Sequence, residues 1–169
     1  WAWDNWILDP QRSGGALLDL HIHDGDYVQY LFGMPKSVFT RTAKGPTGGY
    51  DHAVTQYLYD DEKVITAEGG WLMTDSFGFR MGFEIMLEKA TIYYDCTRDP
   101  AFQVCPESGG AFTPDIEAGD GYLLELVHFT KAITGQSLPE IIMPQDSLHS
   151  VELIEAELKS AQSAQKVEL

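Results

Sequence analysis

The hydrophobic period of this chain changes twice, and the two changes decide what it can fold into. From Gly14 to Gly33 (GGALLDLHIHDGDYVQYLFG) apolar residues recur at helical spacing, from Lys36 the period falls to 2, and from residue 120 the helical spacing returns. Residues 36–44 (KSVFTRTAK), 51–59 (DHAVTQYLY) and 63–73 (KVITAEGGWLM) are rich in Val, Ile, Thr and aromatics. They are separated by Gly45-Pro46-Thr47-Gly48-Gly49 and Asp60-Asp61, and read as consecutive antiparallel strands. In FGFRMGFEIMLE, Phe79, Met81, Phe83, Ile85 and Leu87 point one way while Arg80, Gly82, Glu84, Met86 and Glu88 point the other, so one face of the sheet is core. Shorter strands follow at 91–95 and 101–105. Residues 120–134 place Leu123, Leu126, Phe129 and Ile133 on one helical face and stop at Gly135. Residues 147–163 do the same with Leu148, Val151, Ile154, Leu158 and Ala161, capped by Asp146 or Ser147. Sequential strands joined by short turns give an α+β fold: a mainly antiparallel open sheet of five or six strands with helices packed on one face.

Composition narrows the function. A chain of 169 residues with 44% hydrophobic content can bury one sizeable core, so residues 1–169 are expected to form a single domain. Eleven basic against 26 acidic residues give a formal net charge of -15, which repels phosphate backbones and anionic lipid, so neither nucleic acid nor membrane is an expected partner. No apolar run approaches the ~20 residues of a membrane span, and no basic-then-apolar leader opens the chain. Cys96 and Cys105 are too few for a disulfide framework and are expected as buried thiols in a reducing, cytoplasmic setting. The chain opens at Trp1 without methionine, as an excised or processed segment would. No phosphate-cradling GxGxxG follows any strand.

The first helical stretch carries the chemistry. Read as one helix from Gly14, with Ser13 as its cap, it aligns Asp19, His23, Asp26 and Tyr30 on a polar stripe opposite Ala16, Leu17, Leu20, Tyr27, Val28 and Leu31. A carboxylate one turn from an imidazole can support it electrostatically and fix its tautomer, which suits a general acid/base near neutral pH. Asp26 could orient His23 from the other side. The plainer alternative is a solvated polar stripe. Asp24 falls within the apolar face, which requires either an irregular helix near Gly25 or a buried partner for its carboxylate.

These residues resemble the start of the C-terminal domain of the Gfo/Idh/MocA oxidoreductases, the group of glucose-fructose oxidoreductase and myo-inositol dehydrogenase. The family pattern GG(G)xxxDxGxHxxDxxxxLxG is matched by Gly14, Gly15, Asp19, His23, Asp26, Leu31 and Gly33. Glu125 to Ile133 is similar to the family's E-x-x-x-F-x-x-x-I segment, and a final helix with Ala156 and Ser160 precedes the tail Val167-Glu168-Leu169. The resemblance implies a substrate-binding and oligomerisation domain whose partner, an N-terminal Rossmann domain that binds NAD or NADP, is absent from this chain. No cofactor is then expected in these residues, and the chain alone is expected to be inactive. His23 is implied as the acid/base at a substrate hydroxyl or carbonyl, with Asp19 binding substrate or supporting His23. Asn5, Trp6, Arg12, His21 and Asp26 are implied near the substrate, a sugar, cyclitol or nucleotide-sugar. His21 stands where the family has a small glycine. The resemblance also implies a homodimer or tetramer through the sheet face, with Tyr57, Tyr59, Trp71, Phe79 and Met81 as candidates.

Two other readings compete. Asp19-x-His21-x-His23 is also the opening signature of metal-dependent amidohydrolases, in which two histidines alternate on a strand and reach one metal. A (β/α)₈ barrel of ~250 residues fits this chain poorly, and His52, His128 and His149 are not placed as further ligands. A non-catalytic dimerisation module is the third. Arg80 could meet a substrate carboxylate or phosphate, or pair with Glu84 or Glu88.

Overall fold

A computed structural model describes residues 3–116, 119–136 and 141–169. In chain order the elements are α1 (Pro10–Ser13), α2 (Gly15–Asp19), α3 (His21–Phe32), β1 (Ser37–Lys44), β2 (Tyr50–Leu58), β3 (Ile65–Gly70), β4 (Gly82–Met86), β5 (Ala90–Asp95), β6 (Phe102–Pro106), α4 (Gly121–Ile133), α5 (Pro144–Ser163) and β7 (Val167–Glu168). Short 3-10 turns occupy Trp3–Leu8 and Asp75–Phe77. The chain divides into two compact units, Trp1–Met73 with Glu140–Leu169, and Thr74–Pro139.

The first unit holds a four-stranded antiparallel sheet in the order β3-β2-β1-β7. Register pairs Val38 with Tyr57, Thr40 with Thr55 and Thr42 with Ala53. Strict alternation along β2 buries Asp51, Ala53, Thr55 and Tyr57 and exposes Val54 and Gln56. Tyr57 therefore lies in the core at 1% exposure, not on the open face where the resemblance put it. The helices cover that inner side, α5 against β1, α2 against β2, and α3 against β3 and α5. Val28, Val38, Tyr57, Leu153 and Ala156 form one buried cluster, and Leu17, Ala53 and Ile154 another. Each such large side chain stabilises the fold by about 1.5–3 kcal/mol.

Helix α5 begins one turn earlier than its expected cap and presents a different face. Pro144 occupies its first turn, where the missing N–H costs nothing, and the Asp146 carboxylate accepts the Met143 N–H at 2.7 Å. Its buried stripe is Ser150, Leu153, Ile154, Ala156, Glu157 and Ser160, while Leu148 and Val151 stay 49% and 41% exposed. The hydroxyls in that stripe have structural partners. Ser160 accepts the Thr40 N–H at 2.9 Å and donates to the Gln165 carbonyl at 2.6 Å.

The second unit pairs β4-β5-β6, also antiparallel. The alternation read over 77–88 is realised as strand only in β4, where Phe83 and Ile85 are half-buried, and Phe83 meets Tyr94 and Phe102 at ring-centroid distances of 5.6 and 6.3 Å. Phe79 and Met81, outside it, are 73% and 52% exposed. Arg80 pairs with Asp95 at 3.3 Å and not with the glutamates of its own segment. The Thr97 hydroxyl and N–H hold the Asp95 carboxyl down at about 2. Cys96 accepts the Met81 N–H through Sγ at 3.1 Å, and Cys105, expected buried, is the exposed residue of β6. Helix α4 is capped by Asp120, whose carboxylate accepts the Tyr122 N–H at 2.7 Å, and none of its residues is buried.

Candidate active site

The sequence of the first helical stretch builds two helices, not one. Ser13 closes α1, its hydroxyl accepts the Gly15 N–H at 3.0 Å, and Gly14 turns the chain at φ 78°. A side chain at Gly15 would meet the Tyr50 carbonyl at 3.1 Å, so a glycine lets α2 lie close on β2. Leu20, at φ -113° and ψ -55°, then separates α2 from α3. The face that α3 buries is His21, Gly25, Val28 and Gln29, an i, i+4, i+7, i+8 stripe that begins with an imidazole.

His21 is fully buried. Its Nδ1 lies 2.9 Å from Asp24 Oδ2, and its Nε2 lies 3.3 Å from both Glu157 Oε2 and Thr55 Oγ1. A neutral imidazole offers one N–H and one bare nitrogen, and a carboxylate only accepts; a ring between two carboxylates satisfies both only when it carries both protons. Burial alone would lower its basicity, but the hydrogen bonds to Asp24 and Glu157, with their charges, outweigh it and raise the His21 pKa from 6.5 to about 9. Glu157 is equally buried and also accepts from Thr55 Oγ1 at 3.0 Å and Tyr57 OH at 2.8 Å. Burial, then the Glu157 charge, pushes the Tyr57 phenol above its usual range, so it stays neutral and donates.

The remaining sequence-derived candidates fall in three places. Of the two alternatives for Asp24, the structure takes the buried partner: α3 runs unbroken through Gly25, and the carboxylate reaches the buried His21 ring. Asp26 accepts from Ser150 Oγ at 2.6 Å and so ties α3 to α5; it does not flank His23. Asp19 ends α2 half-buried and His23 is exposed on α3, and neither side chain makes a hydrogen bond or ion pair among the described residues. Arg12 pairs with Asp4 at 3.1 Å, Trp6 is half-buried, and Asn5 is exposed in left-handed backbone at φ 49°. Glu157 and Thr55 carry no site expectation from the sequence, and Tyr57 carries one only for the open sheet face. The available signal was Glu157 itself, an acid three and four residues beyond Ile154 and Leu153 on a helix face that must be buried.

His21 and His23 sit on a helix, where two residues turn a side chain by about 200°. One ring points into the core and the other to solvent, so they do not converge on one metal as the hydrolase signature requires. The described strands pair antiparallel, whereas the phosphate-binding turn needs a parallel βαβ unit.

A family model described as the GFO/IDH/MocA C-terminal domain matches residues 1–93, more than half of the sequence. The chain belongs to the GFO/IDH/MocA family. It is 25% identical over 170 residues to the scyllo-inositol 2-dehydrogenase (NAD(+)) of Bacillus subtilis (strain 168), covering 94% of this chain and 49% of that protein. Among solved structures, it matches levoglucosan dehydrogenase in complex with NADH and levoglucosan with a TM-score of 0.77 at 21% identity, covering 97% of this chain and 53% of that one. The WlbA dehydrogenase from Bordetella pertussis, in complex with NADH and UDP-GlcNAcA, matches with a TM-score of 0.73 at 19% identity, covering 97% and 48%. The chain thus spans about half the length of these relatives.

Proposed function

We propose that these residues are the substrate-side domain of a longer NAD(P)-dependent oxidoreductase acting on a hydroxyl or carbonyl of a sugar, cyclitol or nucleotide-sugar. The nicotinamide, held by a part of the protein other than these residues, would supply hydride transfer. What falls to this chain is to bind and orient the polyol and to manage its proton. His23 is the group for the proton, and the observation that carries this is its exposed imidazole, uncommitted to any described residue, on the family motif one helix break after Asp19. Asp19, at the end of α2, binds a substrate hydroxyl or closes on His23 when substrate is seated; catalytic contacts commonly tighten only in the complex. In this reading Asn5, Trp6 and Arg12 belong to the substrate side, and His21 does not touch substrate because its ring is wholly enclosed. Isolated, the chain does not turn over substrate.

A second copy pairing through the open sheet face, into a dimer or tetramer, completes the proposal, and the two unpaired cysteines suit a reducing cytoplasm. Among the described residues no helix is long and apolar enough to cross a membrane. In the full-length enzyme His23→Ala is expected to lower kcat by about 10²–10⁴-fold, the usual worth of a positioned acid/base, with cofactor affinity within about twofold. Steady-state kinetics with cofactor titration checks this, and unchanged turnover removes His23 from the mechanism. Stoichiometric zinc or manganese binding lost in His21→Ala/His23→Ala would instead favour the hydrolase.

A further inference from the structure

The buried imidazole has a task that the proposed chemistry leaves unassigned. It is the first residue of α3, and it reaches three other elements at once: Glu157 on α5, Thr55 on β2, and β3 through Gly69, where a side chain would come within 2.9 Å of Nδ1. The fourth contact, to Asp24, is the next turn of α3 itself. The hydrogen bonds run one way. Thr55 and Tyr57 donate to Glu157, and because the Thr55 proton is given to Glu157, the ring's Nε2 is left as the donor, facing both Thr55 Oγ1 and the Glu157 carboxylate at 3.3 Å. A ring fixed at both nitrogens cannot rotate, and neither can the helix turn that carries it. Because α2 and α3 are separated at Leu20, nothing in a continuous backbone ladder sets the rotation of α3 relative to Asp19. The contact that sets it nearest the break is His21; further along α3, Val28 in the core, Asp26 on Ser150 and Gln29 on Asp146 and Ser150 hold the rest of the helix.

We propose that His21 is a positioning residue: clamped as an imidazolium between Asp24 and Glu157, it fixes the rotation of the first turn of α3 and so turns His23 out of the core to face substrate. Two residues along a helix amount to about 200°, so an inward His21 obliges an outward His23. The groups facing the ring are Asp24 from α3, Glu157 from α5 and the neutral Tyr57 and Thr55 from β2; β3 brings only Gly69. The functional half of the claim rests on His23 being the acid/base, whereas the clamp and the orientation do not.

The test uses the full-length protein and three readouts. In ¹⁵N-histidine-labelled wild type, the His21 ring, assigned by its loss in His21→Gln, should show both nitrogens protonated from pH 6 to 8; a bare nitrogen at pH 7 overturns the clamp. His21→Gln leaves Glu157 short of its cation and is expected to unfold more readily, so His21→Gln/Glu157→Gln, which removes one charge of each sign, is made to recover the fold. In that folded double variant the rate at which diethyl pyrocarbonate modifies His23, followed by mass spectrometry, should change at least threefold, and kcat per folded molecule should fall at least tenfold with KM within threefold. An unchanged His23 modification rate overturns the positioning claim whatever the kinetics. A changed rate with full turnover, while His23→Ala is also fully active, retains the clamp and rejects the acid/base reading of His23. Full turnover with His23→Ala inactive rejects the role of His21 in catalysis.

Discussion

A cation with both its protons committed in the core makes stability depend on pH in a definite direction. The His21 pKa, 6.5 in an unfolded chain and about 9 in the fold, means that the folded state holds the proton more tightly. Its stabilising contribution is complete below pH 6.5 and is lost as pH rises through 9, a change of roughly 3 kcal/mol in total. Urea denaturation at pH 6.5 and pH 9.5 should therefore give a lower midpoint at the higher pH, and the difference should be absent in His21→Gln/Glu157→Gln. Equal slopes in both proteins would assign the alkaline loss elsewhere. Gly69→Ala probes the same ring from β3. The added methyl meets Asp24 Oδ2 and lies 2.9 Å from His21 Nδ1, and Asp24, with 39% of its side chain exposed, has room to swing away. Overpacking of this kind costs about 1–3 kcal/mol, and the loss of one carboxylate should shift the alkaline limb of stability to lower pH. The same titration detects both effects.

At the scale of elements, one hydroxyl adds a hydrogen bond to the apolar packing of α5 on β1. Ser160 accepts the buried Thr40 N–H through its hydroxyl oxygen. Ser160→Ala strands the donor and is expected to cost about 1–3 kcal/mol, whereas Ser163→Ala, one turn on and exposed, should fall within about 0.5 kcal/mol; thermal unfolding of the two variants compares them. The pair also shows what a sequence can disclose. The strands were legible because a period of 2 survives any choice of neighbour, and β1, β2 and β5 lie within about two residues of their expected bounds. The phase of α5 was not, because three of its six buried positions, Ser150, Glu157 and Ser160, are polar and count against burial until their partners are known. The break at Leu20 carries no proline or glycine of its own, so a continuous stripe from Asp19 to Tyr30 was the natural reading. Of the candidate site, the motif positions could be named from the sequence. The inward ring and its buried glutamate, 136 positions apart in the chain, could not.

For the molecule as a whole, burial is divided unevenly between the two units. Every buried hydrophobic residue lies in the first, and among the described residues of the second only Asp95 is buried. Opening free energy follows buried apolar contact, so the second unit should open well below the global unfolding energy. Leu123, Leu126, Phe129 and Ile133, four of the exposed apolar positions of α4, are 58–66% accessible and contribute little to holding their helix in this chain. Hydrogen exchange followed by mass spectrometry on the 169-residue chain should therefore find amides of β1, β2 and α5 protected longest, with β4, β5, β6 and especially α4 exchanging at least tenfold faster. Slow exchange in α4 would mean that its apolar face is covered in solution, by another copy if protection rises with concentration. Repeating the measurement on the longer protein proposed above separates the sources: protection gained by α4 only there, and independent of concentration, assigns the cover to that protein's other residues.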